Sequence, residues 1–209
     1  MIKPKIDIRM PWEPGKNLGG EYNRIFQESP HDWILFLDAD VLIPHPSFYV
    51  VCQRVILDHV DAGMFTCRAS STGCVPLKSR GQGWNEAPMS QHRALARALW
   101  NEHKYKCARI TITGEYRPKC FNNTIPPGYF MLLSRKAWIA SGGFDNGFKV
   151  DHPFVWRVYQ QFPIYNILGL YCYHVRDRSG ERWIEDVPVS HERLHDPNEK
   201  TIGIGCEGV

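Results

Sequence analysis

Asp32-Trp33-Ile34-Leu35-Phe36-Leu37-Asp38-Ala39-Asp40 is the stretch that decides the fold. Five consecutive apolar residues, Trp33 to Leu37, read as a strand buried on both faces. Asp38 and Asp40, at its carboxyl end, then sit where open α/β sheets bind ligands. Side chains two apart on a strand share a face, so these two acids repel each other and are costly to desolvate. A divalent cation with a phosphate-bearing ligand removes that conflict. Asp40, just past the strand, is the direct metal ligand in this reading. Asp38 holds the metal as well, or a ribose hydroxyl, or an ordered water. The plainer alternative is that both acids end the strand and cap the turn into the next helix.

Working outward, residues 6–10 alternate apolar and charged side chains and predict a first strand. Residues 11–17 form a loop punctuated by Pro11, Pro14 and Gly15. Residues 20–28 predict a helix with Tyr22, Ile25 and Phe26 on one side. Downstream, Pro46 suits the first turn of a helix reaching about His59, with Phe48, Val51 and Val55 inward. Residues 63–68 predict a further strand. This β-α-β-α-β order implies an α/β domain with a mostly parallel central sheet and helices on both faces.

Residues 69–85 are rich in Ser, Gly, Lys and Arg and read as a long loop. Ser90 caps a predicted helix to about His103, with Leu95, Ala98 and Leu99 inward. Residues 107–127 are irregular. An apolar run covers 129–133, and a short helix over 135–141 is stopped by Gly142-Gly143. A helix over 151–161 carries Pro153 near its start. Two short strands follow, over 164–168 and 170–174. No internal repeat and no second apolar core is visible. The chain divides into one domain over residues 1–176 and a polar tail over 177–209.

With 209 residues, of which 43% are apolar and 22% charged, the chain supports one sizeable core. No run approaches the roughly 18 apolar residues of a membrane span. The first residues lack a signal-peptide core. A cytoplasmic location is the expectation. Seven cysteines are scattered with no C-x-x-C pair, which fits buried free thiols better than a zinc ribbon or a disulfide framework. A net charge of +3 permits anionic partners without demanding them. Arg93, Arg97, Lys104, Lys106 and Arg109 form a modest basic cluster, for which a solvated helix face is the simpler account.

Further candidates lie elsewhere along the chain. His174 ends the apolar run Leu170-Tyr171-Cys172-Tyr173, and a neutral imidazole there suits Mn²⁺ or a similar metal. Asp151 is either a helix cap or a general base for an acceptor hydroxyl. After the first strand, Trp12 offers a ring for a nucleobase and Lys16 a charge for phosphate, with Pro11 and Asn17 beside them. Asn23 and Arg24 are candidates for donor contacts. His191 and His195 are four apart, but the nearby prolines and Gly203 argue against a chelating helix there.

Together these motifs resemble glycosyltransferases of the GT-A fold, family two. Pro11-Trp12, Gly15-Lys16-Asn17-Leu18-Gly19 and Tyr22-Asn23 are similar to their donor loop and first helix. The run from Asp32 to Asp40 is similar to their D-x-D strand. Phe65-Thr66-Cys67-Arg68 resembles the next strand of a phage and bacterial subgroup. Residues 127–133 with Trp138 and Gly142-Gly143-Phe144 resemble the acceptor side. Val150-Asp151-His152 matches the acidic base motif, which is often a Glu-Asp pair and here begins with Val150. Residues 169–174 match the late strand that ends in a metal-binding histidine. The likeness spans about residues 6–176.

The resemblance implies a Rossmann-like GT-A domain and a nucleotide-sugar donor, a UDP-sugar being favoured. It also implies a Mn²⁺ or Mg²⁺ ion on the diphosphate, held by Asp40, His174 and Asp38. Pro11, Trp12, Lys16, Asn17, Asn23, Asp38, Ala39 and Asp40 are the implied donor-binding residues, and Asp151 the catalytic base. Such a site stabilises the departing diphosphate while Asp151 deprotonates the acceptor, inverting the anomeric centre. The chain lacks the extra C-terminal helices of processive membrane synthases. The acceptor is open: glycans, lipid-linked sugars, proteins and, given the phage relatives, modified DNA bases all qualify. A phage-encoded enzyme would work in the bacterial cytoplasm. Trp84 and Trp100 are candidates to line an acceptor cleft. Two other classes use the same residues. One is a metal-dependent nucleotidyltransferase or phosphodiesterase, which needs no sugar acceptor. The other is a degenerate glycosyltransferase serving as a binding module.

Overall fold

The computed structural model describes residues 3–79, 87–114, 116, 122–147 and 149–174. The strand predicted from the apolar run is β2, Trp33–Leu37, buried at every position. It pairs in parallel with β1, Ile6–Arg9, whose Arg9 lies opposite Phe36. On its other side runs β6, Phe130–Ser134, antiparallel, with Leu37 opposite Phe130. β6 in turn pairs antiparallel with β4, Met64–Ala69, and β4 pairs in parallel with β7, Ile164–His174. Two short strands share the far side of β7: β3, Val41–Leu42, at its carboxyl end and β5, Cys107–Arg109, nearer its start. The sheet order is β1-β2-β6-β4-β7-β3, with β5 also on β7.

The α/β class holds, but the mostly parallel sheet does not. Two pairings are parallel and four antiparallel. The physical reason is β6, which inserts antiparallel between β2 and β4 and satisfies the ladder groups that a parallel neighbour would otherwise take. The two strands expected over 164–174 are one strand. It shifts register against β4 between Cys67 and Arg68 instead of breaking. A Cβ on Gly169 would stand 2.0 Å from the Lys104 carbonyl oxygen, so only glycine allows that approach.

Helices cover both faces. α1, Leu18–Glu28, starts at Asn17, whose side chain accepts from the Gly20 amide. It turns Tyr22 and Phe26 onto Phe36 of β2, with ring centroids 4.7 and 5.5 Å away. Gly19 is needed here, because a Cβ would meet the Asp145 carbonyl oxygen at 1.7 Å. On the opposite face, α2, Phe48–Asp58, buries Val51, Cys52, Val55 and Ile56. His59, at its end, meets Tyr165 at a tilt and Phe65 edge-on. α3, Met89–His103, packs Leu95, Ala96 and Leu99 on Tyr171 and Tyr173 of β7. Its inward stripe differs from the expected one: Ala98 is exposed, and His92 and Ala96 are buried. α4, Arg135–Ala140, follows β6 directly, capped by Ser134. α5, Asp151–Tyr159, buries Phe154, Val155 and Val158.

Cys52, Cys67, Cys74 and Cys172 are buried free thiols, and Cys107 is a half-buried one. Among the described residues, no helix is long and apolar enough to cross a membrane. The tail over 177–209, with His191 and His195, and also Trp84, lies outside the described residues.

Candidate metal centre

The parallel strands β1, β2, β4 and β7 all end at one edge of the sheet, and every group at the centre is positioned from that edge. Asp38 follows β2 directly, its amide donating to the Tyr129 carbonyl at 3.2 Å. A turn closed by the Val41 amide on the Asp38 carbonyl (3.1 Å) sends the chain into β3. Val41 then pairs with His174, which sets Asp40 against the end of β7. β2 and β7 are not neighbours, since β6 and β4 lie between them. The short segment 38–41 crosses that gap and is why an acid of one strand meets a histidine of the other.

His174 Nε2 lies 3.4 Å from Asp40 Oδ2 and 3.9 Å from Asp38 Oδ2. Ligand atoms of Asp38, Asp40 and His174 all fall within 4.8 Å of one another, forming a group able to hold a metal ion. The imidazole is fixed in orientation. Its Nδ1 is 3.0 Å from the Ser71 carbonyl, and the Tyr129 ring lies 5.2 Å from it, centroid to centroid. The Ser70 hydroxyl accepts from the His174 amide and donates to the His174 carbonyl, both at 3.1 Å. With Nδ1–H donating to Ser71, the neutral ring aims its Nε2 lone pair at two carboxylates. A tautomer fixed this way is typical of ligating histidines.

The electrostatics favour positive charge at this point. Asp40 is buried, and neither carboxylate oxygen has a hydrogen-bond donor. Burying such a group is costly unless it is paired or coordinates a metal. Burial disfavours charge on His174. The carboxylate of Asp40 close by at 3.4 Å, then the Asp38 charge and the Ser71 carbonyl, outweigh it and raise the imidazole above its ordinary value. A proton on Nε2 or a metal ion held between the three side chains balances the two carboxylates equally well. Two carboxylates and an imidazole form a group able to hold a metal ion.

Asp151 stands beside this group. It is the first residue of α5, the cap being Val150 with no side-chain cap bond, so Asp151 is not the capping side chain. Its Oδ2 instead accepts the Gly128 amide at 2.9 Å, one residue from the Tyr129 carbonyl that holds Asp38. Tyr22 reports the same proximity: burial chiefly, then the charges of Asp38 and Asp151, push its phenol well above the ordinary value.

The remaining candidates divide. Pro11, Trp12 and Lys16 lie on the loop that leaves β1 at this same edge, and Trp12 is 64% exposed. Ala39 sits between the two acids, half-buried. Asn17 and Asn23 have structural employment. Asn17 Oδ1 accepts from the Gly20 and Gly147 amides (3.1 and 3.0 Å). Asn23 Oδ1 accepts from Trp138 Nε1 (2.9 Å) and the Phe144 amide (2.8 Å), and its Nδ2 donates to the Phe144 carbonyl (2.8 Å). Both hold the 142–147 loop, and through it Asp151, against α1. Arg24 is engaged by Glu21 and Glu28. Trp100 packs between His45 and Tyr105. Sequence reasoning missed Ser70, Ser71, Gly128 and Tyr129. Their parts are played largely by backbone groups, which leave no residue-type signal. No protein-family model and no curated protein matches the chain.

Proposed function

We propose that this chain is a metal-dependent glycosyltransferase that moves a sugar from a nucleotide-diphosphate donor to an acceptor hydroxyl with inversion. The observation that carries the reading is the convergence of Asp38, Asp40 and His174 at the sheet edge, with Asp151 linked to Asp38 by two hydrogen bonds through Gly128 and Tyr129. Asp38, Asp40 and His174, which the family resemblance assigns to the metal, come together from segments far apart in sequence.

Asp40, His174 and Asp38 would hold Mn²⁺ or Mg²⁺, which would supply Lewis acidity against the negative charge developing on the departing diphosphate. Asp151 has one carboxylate oxygen engaged by the Gly128 amide, which fixes its orientation. Its other oxygen accepts the acceptor's hydroxyl proton as that oxygen attacks the anomeric carbon. A single displacement of this kind inverts the centre. Trp12 and Lys16, on the loop at the same edge, contact the nucleotide, and a UDP-sugar is the favoured donor.

The test is thermal unfolding with a panel of nucleoside diphosphates and nucleotide sugars, with and without Mn²⁺. A Mn²⁺-dependent rise in melting temperature for one nucleotide, lost in Asp40→Asn, supports the donor site. Turnover of that nucleotide without a sugar acceptor would move the assignment to a nucleotidyltransferase or phosphodiesterase. No shift with any nucleotide would overturn the reading in favour of a binding module.

A further inference from the structure

The outward face of α3 carries a line of positive charge that the fold leaves without counter-ions. Arg93, Arg97 and Lys104 are exposed. At 100° per residue Arg93 and Arg97 fall within an arc of about 40°, and Lys104 is the C-cap residue that ends the helix. From Arg93 to Lys104 the line runs about three turns, roughly 16 Å. The acid on the helix, Glu102, points about 180° from Arg93 and pairs with His103. Among the described residues, none of Arg93, Arg97 and Lys104 forms an ion pair. Beside the line the exposed side chains are short: Ser90, Ala94, Ala98 and Asn101. A rigid, bulky ligand can approach the helix closely there, with the cations along one margin. The helix itself docks on β7. His92 stacks on Tyr173 with ring centroids 4.0 Å apart, and Tyr173 precedes His174.

We infer that this face of α3 binds the phosphodiester backbone of a nucleic acid. Three features choose that partner. The cations form a single row, as a strand of phosphates does. Two of the three are arginines, whose planar fork matches phosphate oxygens. The outward face of the helix presents no large apolar side chain to enter a bilayer, which an interfacial membrane helix requires. The inference is independent of the reaction assigned to the metal centre.

The test uses the full chain and fluorescent 20-base-pair duplexes of DNA and of RNA, followed by anisotropy at several salt concentrations. Three phosphate contacts give a slope of log K on log salt of about −2.7 for DNA. Raising salt from 50 to 200 mM then weakens binding about 40-fold. In Arg93→Gln/Arg97→Gln only one contact remains, and the same change costs about fourfold. Both positions are exposed, and an unchanged melting temperature verifies that the variant is folded. Asp40→Asn keeps the wild-type slope, which separates this surface from the metal centre. Three outcomes overturn the inference: no binding to either duplex at 50 mM salt, an unchanged slope in the double variant, or equal affinity for vesicles rich in phosphatidylserine.

Discussion

Asp151 is the residue at which positioning and chemistry are most easily confused, because its carboxylate both holds Gly128 and faces the candidate centre. Asp151→Asn separates the roles. The amide oxygen still accepts the Gly128 N–H, but the base is gone. The expected result is a fall in kcat of about 10²- to 10⁴-fold. KM and the Mn²⁺-dependent melting shift should stay as in the wild type. Retained turnover would make Asp151 a structural latch only. Asn23 gives the opposite expectation. The resemblance made it a donor ligand, yet its amide is spent on Trp138 and Phe144. Asn23→Ala removes three hydrogen bonds and leaves the partly buried Phe144 N–H unsatisfied. It should cost on the order of 2–4 kcal/mol in urea unfolding. A variant of unchanged stability with a raised KM would restore the ligand role.

At the scale of the element, α3 is docked through a buried histidine. His92 Nδ1 meets the Tyr171 hydroxyl at 2.6 Å, and Nε2 meets the Ala87 carbonyl at 3.1 Å. Burial is the main influence on the ring, partly opposed by the Ala87 carbonyl, and pushes it down to about 4. The folded state therefore needs the neutral ring, whereas the unfolded chain takes a proton near the ordinary value of about 6.5. The contribution is complete above that value. It declines as pH falls, because the unfolded state then binds more protons, and it levels off below about 4. Each tenfold difference in proton affinity is worth about 1.4 kcal/mol, so roughly 2–3 kcal/mol is at stake. Denaturant midpoints at pH 7 and pH 4.5 measure the decline. His92→Gln, which does not titrate, should reduce it. Parallel pH dependences for the two proteins would assign the acid sensitivity elsewhere.

At the scale of the whole molecule, the candidate centre ties the β2–β3 turn to the end of β7 across the tops of β6 and β4. A cation bound there stabilises the folded chain by mass action, about 2.7 kcal/mol at a hundredfold excess over Kd. For a chain of this size that is a rise of about 5–10 °C in melting temperature. Amide exchange should slow most at Val41 and His174. A metal effect that survives Asp40→Asn would place the ion elsewhere. The sequence by itself determined β2 and its acidic end, the apolar faces of α1 and α2, and the α/β class, because periodicity and burial are written locally. It also named Asp38, Asp40, His174 and Asp151 as candidates by residue type. Only the tertiary structure decided that Asp38, Asp40 and His174 meet, and that Asp151 binds the Gly128 amide next to the Tyr129 carbonyl that holds Asp38. Their proximity depends on β6 entering antiparallel between β2 and β4 and on β3 pairing with β7, and strand order across a sheet is set by long-range ladders that no local pattern encodes. The same is true of Ser71, Gly128 and Tyr129, which act through backbone atoms every residue possesses. It is true of α3 as well, where docking on β7 fixed which basic side chains face outward together.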